Sequence, residues 1–300
     1  MVRPSADVRA ALADGRPVVA LESSVLAQGL PIPANREAAE RMTGAVRDAG
    51  AVPAVTAVVH GVVALGLEPP ELERFLRREN VRKVSARDIP VAVAQRADGA
   101  TTVAGSLAVA RIAGVRVFAT GGIGGVHHDP PYDESADLHE LARSPLVVVC
   151  AGAKSILNLP ATMERLETLG VTVVGYGTDE LPGFFTAESG VRLSARADTP
   201  EEIAAILDAS VALGRRQALV VVQPPPAELA LSRREVERAV AEAVDEARRA
   251  GVSGAAVTPF LLAAVERQTE GRSRAVNLGL LERNARLAGA IAAVMRGRQQ

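Results

Sequence analysis

The sequence predicts an α/β protein, a layered α/β/α sandwich around a largely parallel or mixed sheet with a helical C-terminal portion. Short apolar runs that suit buried strands alternate with longer amphipathic runs that suit helices, which is the pattern of βαβ units. From residue 232 onward the runs are helical only. With 300 residues, 48% of them hydrophobic, the chain can bury a large core, and we expect one catalytic domain over residues 1–300.

The predicted elements end where the sequence supplies stop signals. Glycines 50, 114 and 170 follow three of the helical runs, at the position where glycine ends a helix. The predicted strands are 18–21, 52–59, 81–84, 115–120, 146–150, 171–176 and 218–222. The predicted helices are 35–49, 70–78, 102–113, 160–169, 200–213, 233–250, 259–268 and 277–295.

Charge and cysteine content exclude several classes of partner. The net charge is −1 and no block of basic residues stands out, so we expect no nucleic-acid partner. We also expect no membrane span and no secretion signal, because apolar runs of the required length are lacking, and we predict a cytoplasmic protein. The one cysteine, Cys150, ends an apolar run and excludes a disulfide framework.

Lysine is rare in this chain. Of 34 lysines and arginines, only Lys83 and Lys154 are lysines. Arginine can replace lysine wherever a cation is enough, but its guanidinium stays protonated and cannot act as an amine nucleophile. Both lysines lie beside the carboxyl ends of predicted strands, where open parallel sheets bind ligands. They are either required amines or ordinary surface residues.

Other polar groups cluster at the same predicted edge. Glu22 closes strand 18–21 and suits general acid/base chemistry, although single acids at strand ends are common. The glycine cluster 121–125 can either cradle a phosphate or form a tight turn. In the last helix, Asn277 and Asn284 can either reach the amide edge of a heterocycle or cap a kink.

The segment 127–137, HHDPPYDESAD, is rich in aspartate and histidine. Its aspartates can hold a hard divalent cation, because carboxylate and water oxygens suit such ions. Asp133 and Asp137 are four residues apart, a spacing that places two side chains on one helix face. The alternative is a solvated loop that leads into an acidic helix N-terminus.

These segments together resemble the pseudouridine-5′-phosphate glycosidase family, which is also called the indigoidine synthase A-like family. The resemblance runs from about residue 18 to about residue 293 and includes several motifs in the same order. The motifs are LESSVLAQGLPIP, KVSARDIP, GATTVAGSL, VFATGGIGGVHHD, DESADL, CAGAKSILNLPATMERLETLGVTVVGYGTDELPGF and AVTPFLL.

The resemblance implies roles for individual residues. Lys154 would be the nucleophile and Glu22 the proton donor. Asp133 would bind Mn²⁺, or another divalent ion, with one ion per subunit. The implied substrate-binding residues are Lys83, Thr102, Val103, Thr120, His127, Ser135, Ala136, Asp137 and Asn277.

The implied reaction is the reversible cleavage of pseudouridine 5′-phosphate to uracil and ribose 5-phosphate by a lyase-class C-glycosidase. The leaving atom is carbon 5 of uracil, a poor carbanion, so simple expulsion of the base is unfavourable. The resemblance implies a route through a lysine imine instead, in which the ribose ring opens and Lys154 adds at C1′. It also implies a cytoplasmic homotrimer.

Three other functions fit parts of the sequence. A related C-glycoside synthase would join ribose 5-phosphate to another aromatic compound, a catalytically silent relative would only bind a sugar phosphate, and an aldolase would also form an imine. The chain departs from the family pattern at four positions outside the implied catalytic set, and these departures bear on substrate preference. They are Gln28, His60, Gln223 and Arg274.

Overall fold

The computed structural model describes residues 2–128, 133–252 and 257–297. The strands in these ranges are β1 (Arg3–Pro4), β2 (Val18–Leu21), β3 (Val52–Val59), β4 (Val62–Leu65), β5 (Val81–Val84), β6 (Asp98–Thr101), β7 (Val117–Ala119), β8 (Val147–Cys150), β9 (Thr172–Tyr176), β10 (Arg196–Ala197) and β11 (Leu219–Val222). The helices are α1 (Ala6–Ala13), α2 (Ala34–Asp48), α3 (Pro69–Leu76), α4 (Ile89–Ala94), α5 (Val103–Ile112), α6 (Ala136–Leu141), α7 (Leu159–Thr168), α8 (Pro200–Ala212), α9 (Arg233–Arg249), α10 (Val257–Gln268) and α11 (Arg272–Gly297).

The central sheet is parallel, in the strand order β3-β2-β7-β8-β11-β9-β10. The first half of β3 pairs with β2, while its second half pairs antiparallel with β4 and with β6. Strands β1 and β5 then add in parallel to β4 and β6. The prediction of an α/β protein with a largely parallel sheet is confirmed, and the antiparallel pairs make the sheet mixed.

Helices cover both faces of the sheet. Parallel connections are right-handed, so connections that run in opposite directions along the sheet place their helices on opposite faces. Helix α2 lies in the connection from β2 to β3, which runs toward one edge of the sheet. Helices α6 and α7 lie in the connections from β7 to β8 and from β8 to β9, which run toward the opposite edge. Helix α11 packs on α2, α8 and the central strands, and α5 packs on α6.

The core is apolar and continuous. Strands β2, β8 and β11 are buried along their whole length, which suits valine-rich strands covered on both faces. One cluster of buried apolar residues extends from Val8 to Met295. A single catalytic domain stays a prediction, which the continuity of this core supports. None of the described helices combines the length and the apolar character that a bilayer span requires.

Several elements differ from the sequence prediction. Strands β1, β4, β6 and β10 and helices α1 and α4 were not predicted. Strands β1 and β10 have two residues each and β6 is not apolar, whereas β4 repeats the sequence of β2 but directly follows β3. Helix α11 begins at Arg272, five residues before the predicted start. The expectation that Asp133 and Asp137 share a helix face is wrong, because α6 begins at Ala136 and only Asp137 lies in it. Asp129 lies outside the described residues.

Candidate active site

A cavity of about 710 Å³ opens at the carboxyl ends of the central strands. Glu22, Lys83, Lys154 and Asn277 line it, and α10 with the start of α11 forms its outer wall. We call this the active-site cavity. Its charged lining is mostly cationic, because five basic side chains face three carboxylates. The basic residues are Arg78, Lys83, Lys154, Arg267 and Arg274, and the acidic ones are Glu22, Glu266 and Glu270.

Lys154 is held by an extension of the sheet beyond its strands. The segment after β7 runs parallel to the segment after β8, with a bridge between Ile123 and Ala153. The amide of Ile123 donates to the carbonyl of Gly152 (3.0 Å), and the amide of Lys154 donates to the carbonyl of Ile123 (3.1 Å). Two hydrogen bonds therefore fix the backbone from which the amine reaches into the cavity.

Glu22 is buried at the carboxyl end of β2, and only 5% of its surface is exposed. Each carboxylate oxygen accepts a hydroxyl hydrogen bond. Ser24 donates to Oε2 (2.7 Å), and Thr120 donates to Oε1 (2.5 Å). Two hydroxyl donors from different loops fix the direction of the carboxyl group without neutralising it, which suits a group that must exchange a proton.

Lys83 lies on β5, at the outer edge of the β5–β6 pair, and its side chain lines the cavity. Desolvation by the surrounding protein lowers the pKa of Lys83, and the positive charge of Lys154 lowers it further, while Glu22 and Asp137 oppose this effect. The residue remains exposed to the water of the cavity, so its desolvation is incomplete. Its interactions place both lysines, Glu22 and Asp137 in one electrostatic environment.

The glycine cluster 121–125 forms a close-packed turn, so the phosphate-cradle alternative is not supported. The amides of Ile123 and Gly124 donate to Gly152 and Asp137, so the loop does not present a row of free donors. The glycines are needed for space. A Cβ at Gly124 would lie 2.2 Å from the hydroxyl oxygen of Ser135, and one at Gly125 would lie 2.4 Å from that of Thr162.

Asp137 connects the start of α5 to the loop after β7. Its Oδ1 accepts from the amide of Ala104 in the first turn of α5, and its Oδ2 accepts from the amide of Gly124, both at 2.8 Å. Ser135 caps α6 by accepting from the amide of Asp137 (3.2 Å). Asp137 therefore lies at an acidic helix N-terminus, as one alternative for this segment predicts, while cation binding by Asp133 stays a prediction. The Asp137 carboxylate has a structural role that the sequence did not indicate.

Thr102, Val103 and Ala136 lie at the starts of α5 and α6, next to Asp137. Thr102 caps α5 by accepting from the amide of Gly105 (3.3 Å), and the buried Val103 begins the helix. Ala136 begins α6 in the same way. The amide of Thr102 donates to the carbonyl of Val84, the residue after Lys83 (2.9 Å), and Asp137 in the first turn of α6 accepts from Ala104. The N-termini of both helices therefore lie at the end of the strand that carries Lys83. Their substrate contacts stay predictions.

His127 lies near the amine of Lys154. Burial lowers the pKa of His127, Asp133 opposes this effect, and the positive charges of His128 and Lys154 lower the pKa further. The amide of His127 also donates to the carbonyl of Asp133 (2.9 Å). A neutral imidazole is therefore favoured near the amine, and it can donate or accept one hydrogen bond at each nitrogen.

Asp133 fits a cation that keeps most of its water. Within residues 2–128, 133–252 and 257–297, no three His, Cys, Asp or Glu side chains form a metal-binding group. Hard ions such as Mg²⁺ and Mn²⁺ favour oxygen ligands, and Mg²⁺ is often held by only one or two carboxylates together with water and substrate oxygens. Asp133 supplies one such carboxylate.

Three features of the cavity were missed from the sequence. Ser24 orients Glu22, and its position two residues after Glu22 in LESS was the available signal. Phe184 lines the cavity with its backbone in the left-handed region (φ 65°), which costs about 1–3 kcal/mol for a residue other than glycine. Its ring packs so closely on Gly122 that a Cβ there would lie 2.7 Å from it. The charged outer wall, with Arg267 and Arg274 beside Glu266 and Glu270, also had no pattern in sequence.

The comparisons with known proteins agree with this geometry. A family model described as indigoidine synthase A-like protein matches residues 7–294. Among curated relatives, proteins from Gemmatimonas aurantiaca and Herpetosiphon aurantiacus are 60% and 52% identical to this chain. The alignments cover 98% and 96% of this chain and 96% of each relative. Both are named pseudouridine-5′-phosphate glycosidase.

Two solved structures share the fold over nearly the full chain. The prealnumycin C-glycosynthase AlnA, in complex with ribulose 5-phosphate, is 38% identical, with a TM-score of 0.92 and coverage of 100% of this chain and 98% of that one. An indigoidine synthase A-like protein from Thermotoga maritima is 36% identical, with a TM-score of 0.90 and coverage of 99% and 97%.

Proposed function

The chain belongs to the indigoidine synthase A-like family, and from this premise we propose that it is a pseudouridine-5′-phosphate glycosidase. The reaction is the reversible cleavage of the C–C glycosidic bond, which yields uracil and ribose 5-phosphate. One observation carries the proposal: Glu22 and the two lysines of the chain all line one cavity at the carboxyl edge of the sheet. An amine and a carboxyl group are what an imine route requires.

The proposed mechanism assigns the covalent step to Lys154. Glu22 donates a proton to the ring oxygen of ribose, and the ring opens. The bond between C1′ and the ring oxygen breaks in this step, and the neutral amine of Lys154 adds to C1′. The proton that the Lys154 nitrogen then loses is taken up by the Glu22 carboxylate and passed to uracil C5, and the bond between C1′ and C5 breaks. The sugar remains bound to Lys154 as an imine, and water hydrolyses this imine to ribose 5-phosphate and the free amine.

The charge of the cavity supports a phosphorylated substrate. Basic side chains outnumber carboxylates in the lining, and Lys83, which forms no ion pair with any described residue, is free to pair with an anion. We assign Lys83 to the phosphate end of the substrate. Asn277 and His127 are assigned to the base, because Asn277 lines the cavity and His127 interacts with Lys154. The assignment of Thr120 to the base rests on the family resemblance, since its buried hydroxyl donates to Glu22.

We assign the metal to Asp133, with water and substrate oxygens as its other ligands. When bound, Mn²⁺ would supply positive charge that polarises substrate oxygens. A homotrimer and a cytoplasmic location stay predictions. Size-exclusion chromatography with light scattering tests the first, and fractionation of cells that express a tagged chain tests the second.

The test of the function is uracil release. Purified protein is incubated with pseudouridine 5′-phosphate and Mn²⁺, with and without a chelator, and free uracil is measured by chromatography. We expect release that stops on chelation and returns when Mn²⁺ is added. Uracil release that continues in the presence of the chelator would overturn the metal assignment alone. No release from a folded, metal-loaded protein would overturn the glycosidase.

The second candidate is a C-glycosynthase that joins ribose 5-phosphate to another aromatic compound. The likeness to prealnumycin C-glycosynthase AlnA favours it, but the identity to that protein is 38%, against 60% to a curated glycosidase. It predicts product formation from ribose 5-phosphate and a non-uracil aromatic. The glycosidase predicts that uracil is the preferred base in the synthetic direction.

A further inference from the structure

A chain of buried amides leads from the end of β11 to the loop that orients Glu22. Gln223 follows β11 and Asn284 lies in the middle of α11, and their exposed fractions are 3% and 1%. The Nε2 atom of Gln223 donates to Oδ1 of Asn284 (3.0 Å). The Nδ2 atom of Asn284 then donates to the carbonyls of Thr120 (2.8 Å) and Gly121 (3.3 Å).

Arg283 determines which atoms donate and which accept in this series of hydrogen bonds. Its Nε donates to Oε1 of Gln223 (3.1 Å), and a guanidinium can only donate. The Oε1 atom of Gln223 must therefore face Arg283, which leaves Nε2 to face Asn284. The amide of Asn284 is fixed in turn, with its oxygen toward Gln223 and its nitrogen toward the carbonyl of Thr120. A flip of either amide would leave two donors or two acceptors facing each other.

The last bond of the chain reaches the proposed proton donor. The carbonyl of Thr120 accepts from Asn284, while its hydroxyl donates to Oε1 of Glu22. The backbone on both sides of Thr120 is also fixed, since its amide donates to Val149 (3.0 Å) and the carbonyl of Gly121 accepts from Ala151 (2.9 Å). Thr120 is 1% exposed, so water cannot readily replace a lost donor.

We propose that Gln223 and Asn284 are positioning residues that fix, through Thr120, the orientation of the Glu22 carboxylate. They touch neither the cavity nor the substrate. The inference rests on the proposed function, because it gives Glu22 a proton to transfer. The hydrogen bonds from Asn284 to the loop after β7 also align that loop with α11, the helix that carries Asn277 into the cavity.

The test is the near-isosteric substitution Gln223→Glu. A carboxylate still accepts from Arg283 but cannot donate to Asn284, so the amide of Asn284 must turn and present its oxygen to the carbonyl of Thr120. We expect kcat to fall about tenfold or more while KM changes less than about threefold, since small misplacement of a catalytic group costs up to about a hundredfold. An unchanged kcat would overturn the proposal.

Two arginines of α11 give a matched pair of variants. Arg283→Gln removes the guanidinium that orients the buried amides of Gln223 and Asn284. Because Arg283 is exposed, we expect this variant to fold, and we expect its kcat to fall about twofold to fivefold. Arg286→Gln removes an arginine one turn away that pairs with Asp48 and Glu282 on the surface, and we expect no change. Equal effects of the two would overturn the proposal even if Gln223→Glu fails to fold.

A spectroscopic readout separates this proposal from the proposed function. The carboxyl carbon of Glu22 is observed by ¹³C NMR in protein labelled at glutamate and is assigned by its loss in Glu22→Gln. We expect its resonance to move in Gln223→Glu and Arg283→Gln but not in Arg286→Gln. If the wild-type protein releases no uracil, the glycosidase fails while this readout still decides the positioning role: a fixed resonance overturns it and a moved one supports it.

Discussion

The active-site cavity and a second cavity of about 610 Å³ lie on opposite sides of the segment that carries Lys154. The second cavity lies between the start of α7, the loop 183–189 and α9. Neighbouring residues face different cavities, since Lys154 lines the first and Ser155 lines the second. The two spaces have similar volumes, so volume does not distinguish the catalytic one.

The charges of the two cavities differ in their pairing. In the second cavity Arg233 pairs with Glu237 (2.7 Å), one turn along α9, which is an ordinary surface arrangement. The active-site cavity also contains such a pair, between Arg274 and Glu266 (3.0 Å) in its outer wall. Its two lysines, however, form no ion pair with any described residue, and the described partners of the Glu22 carboxylate are hydroxyl groups. Titratable groups that are brought together without neutralising one another mark a catalytic site.

The largest expected effect comes from the nucleophile. Lys154→Arg keeps the charge but removes the amine, so we expect uracil release to fall by at least ~10⁴-fold. Ser155→Ala changes the adjacent residue, which faces the second cavity, and we expect activity within about threefold of wild type. Borohydride added during turnover should trap a ribose phosphate adduct on the wild type only, as seen by mass spectrometry. An active Lys154→Arg enzyme would contradict the covalent route.

The carboxyl group gives the next largest effect. Glu22→Gln keeps the volume and removes the transferable proton, so we expect kcat to fall by about 10²- to 10⁴-fold. Glu237→Gln makes the same chemical change in the second cavity, and we expect kcat within about twofold of wild type because the partner of that carboxylate among the described residues is Arg233. Steady-state rates of uracil release measure both. Comparable losses in the two variants would contradict the distinction between the cavities.

The phosphate assignment predicts a smaller and different effect. Lys83→Met removes a charged hydrogen-bond donor, so we expect KM for pseudouridine 5′-phosphate to rise roughly tenfold to a hundredfold. KM for unphosphorylated pseudouridine should change little. Lys83→Arg should recover part of the affinity. Equal increases for both substrates would place Lys83 elsewhere than at the phosphate.

Parallel-sheet topology explains why much of this site was predictable from sequence. Uninterrupted apolar runs predicted β2, β8 and β11, and the rule that ligands bind at the carboxyl ends of strands then placed Glu22 and Lys154 together. The scarcity of lysine pointed to the same place. These signals are local, or need only the strand order.

What the sequence could not predict depends on contacts between distant segments. Asp137 is 33 residues from Ala104, and Asn284 is 164 residues from Thr120, so no spacing rule connects them. The glycine cluster 121–125 looked equally suited to a phosphate loop, because close packing and anion binding both require the absence of a Cβ. Strand β6, DGAT, lies between β3 and β5 but has no apolar run to reveal it. Strand β4 has the same sequence as β2, VVAL, but it follows β3 after only two residues and pairs with it antiparallel, outside the pattern of alternating strands and helices.

The smallest effect concerns the pKa of Lys83, which desolvation lowers first and Lys154 lowers second, while Glu22 opposes both. Removing the charge of Lys154 in Lys154→Met should raise the pKa of Lys83, and removing that of Glu22 in Glu22→Gln should lower it further. Glu237→Gln should leave it unchanged. With only two lysines in the chain, ¹³C reductive methylation gives an amine spectrum simple enough to titrate.

The sign of this shift also predicts how stability depends on pH. The pKa of Lys83 in the folded protein lies below the ordinary value of 10.5, so folding releases a proton from this group in the range between the two values. Protonated Lys83 therefore opposes folding fully below its folded pKa, and this cost disappears as the pH rises toward 10.5. The stability of wild type relative to Lys83→Met, measured by urea unfolding, should rise over that range. A difference that does not change with pH would mean that Lys83 is fully solvated, and the electrostatic link between the two lysines would then be lost.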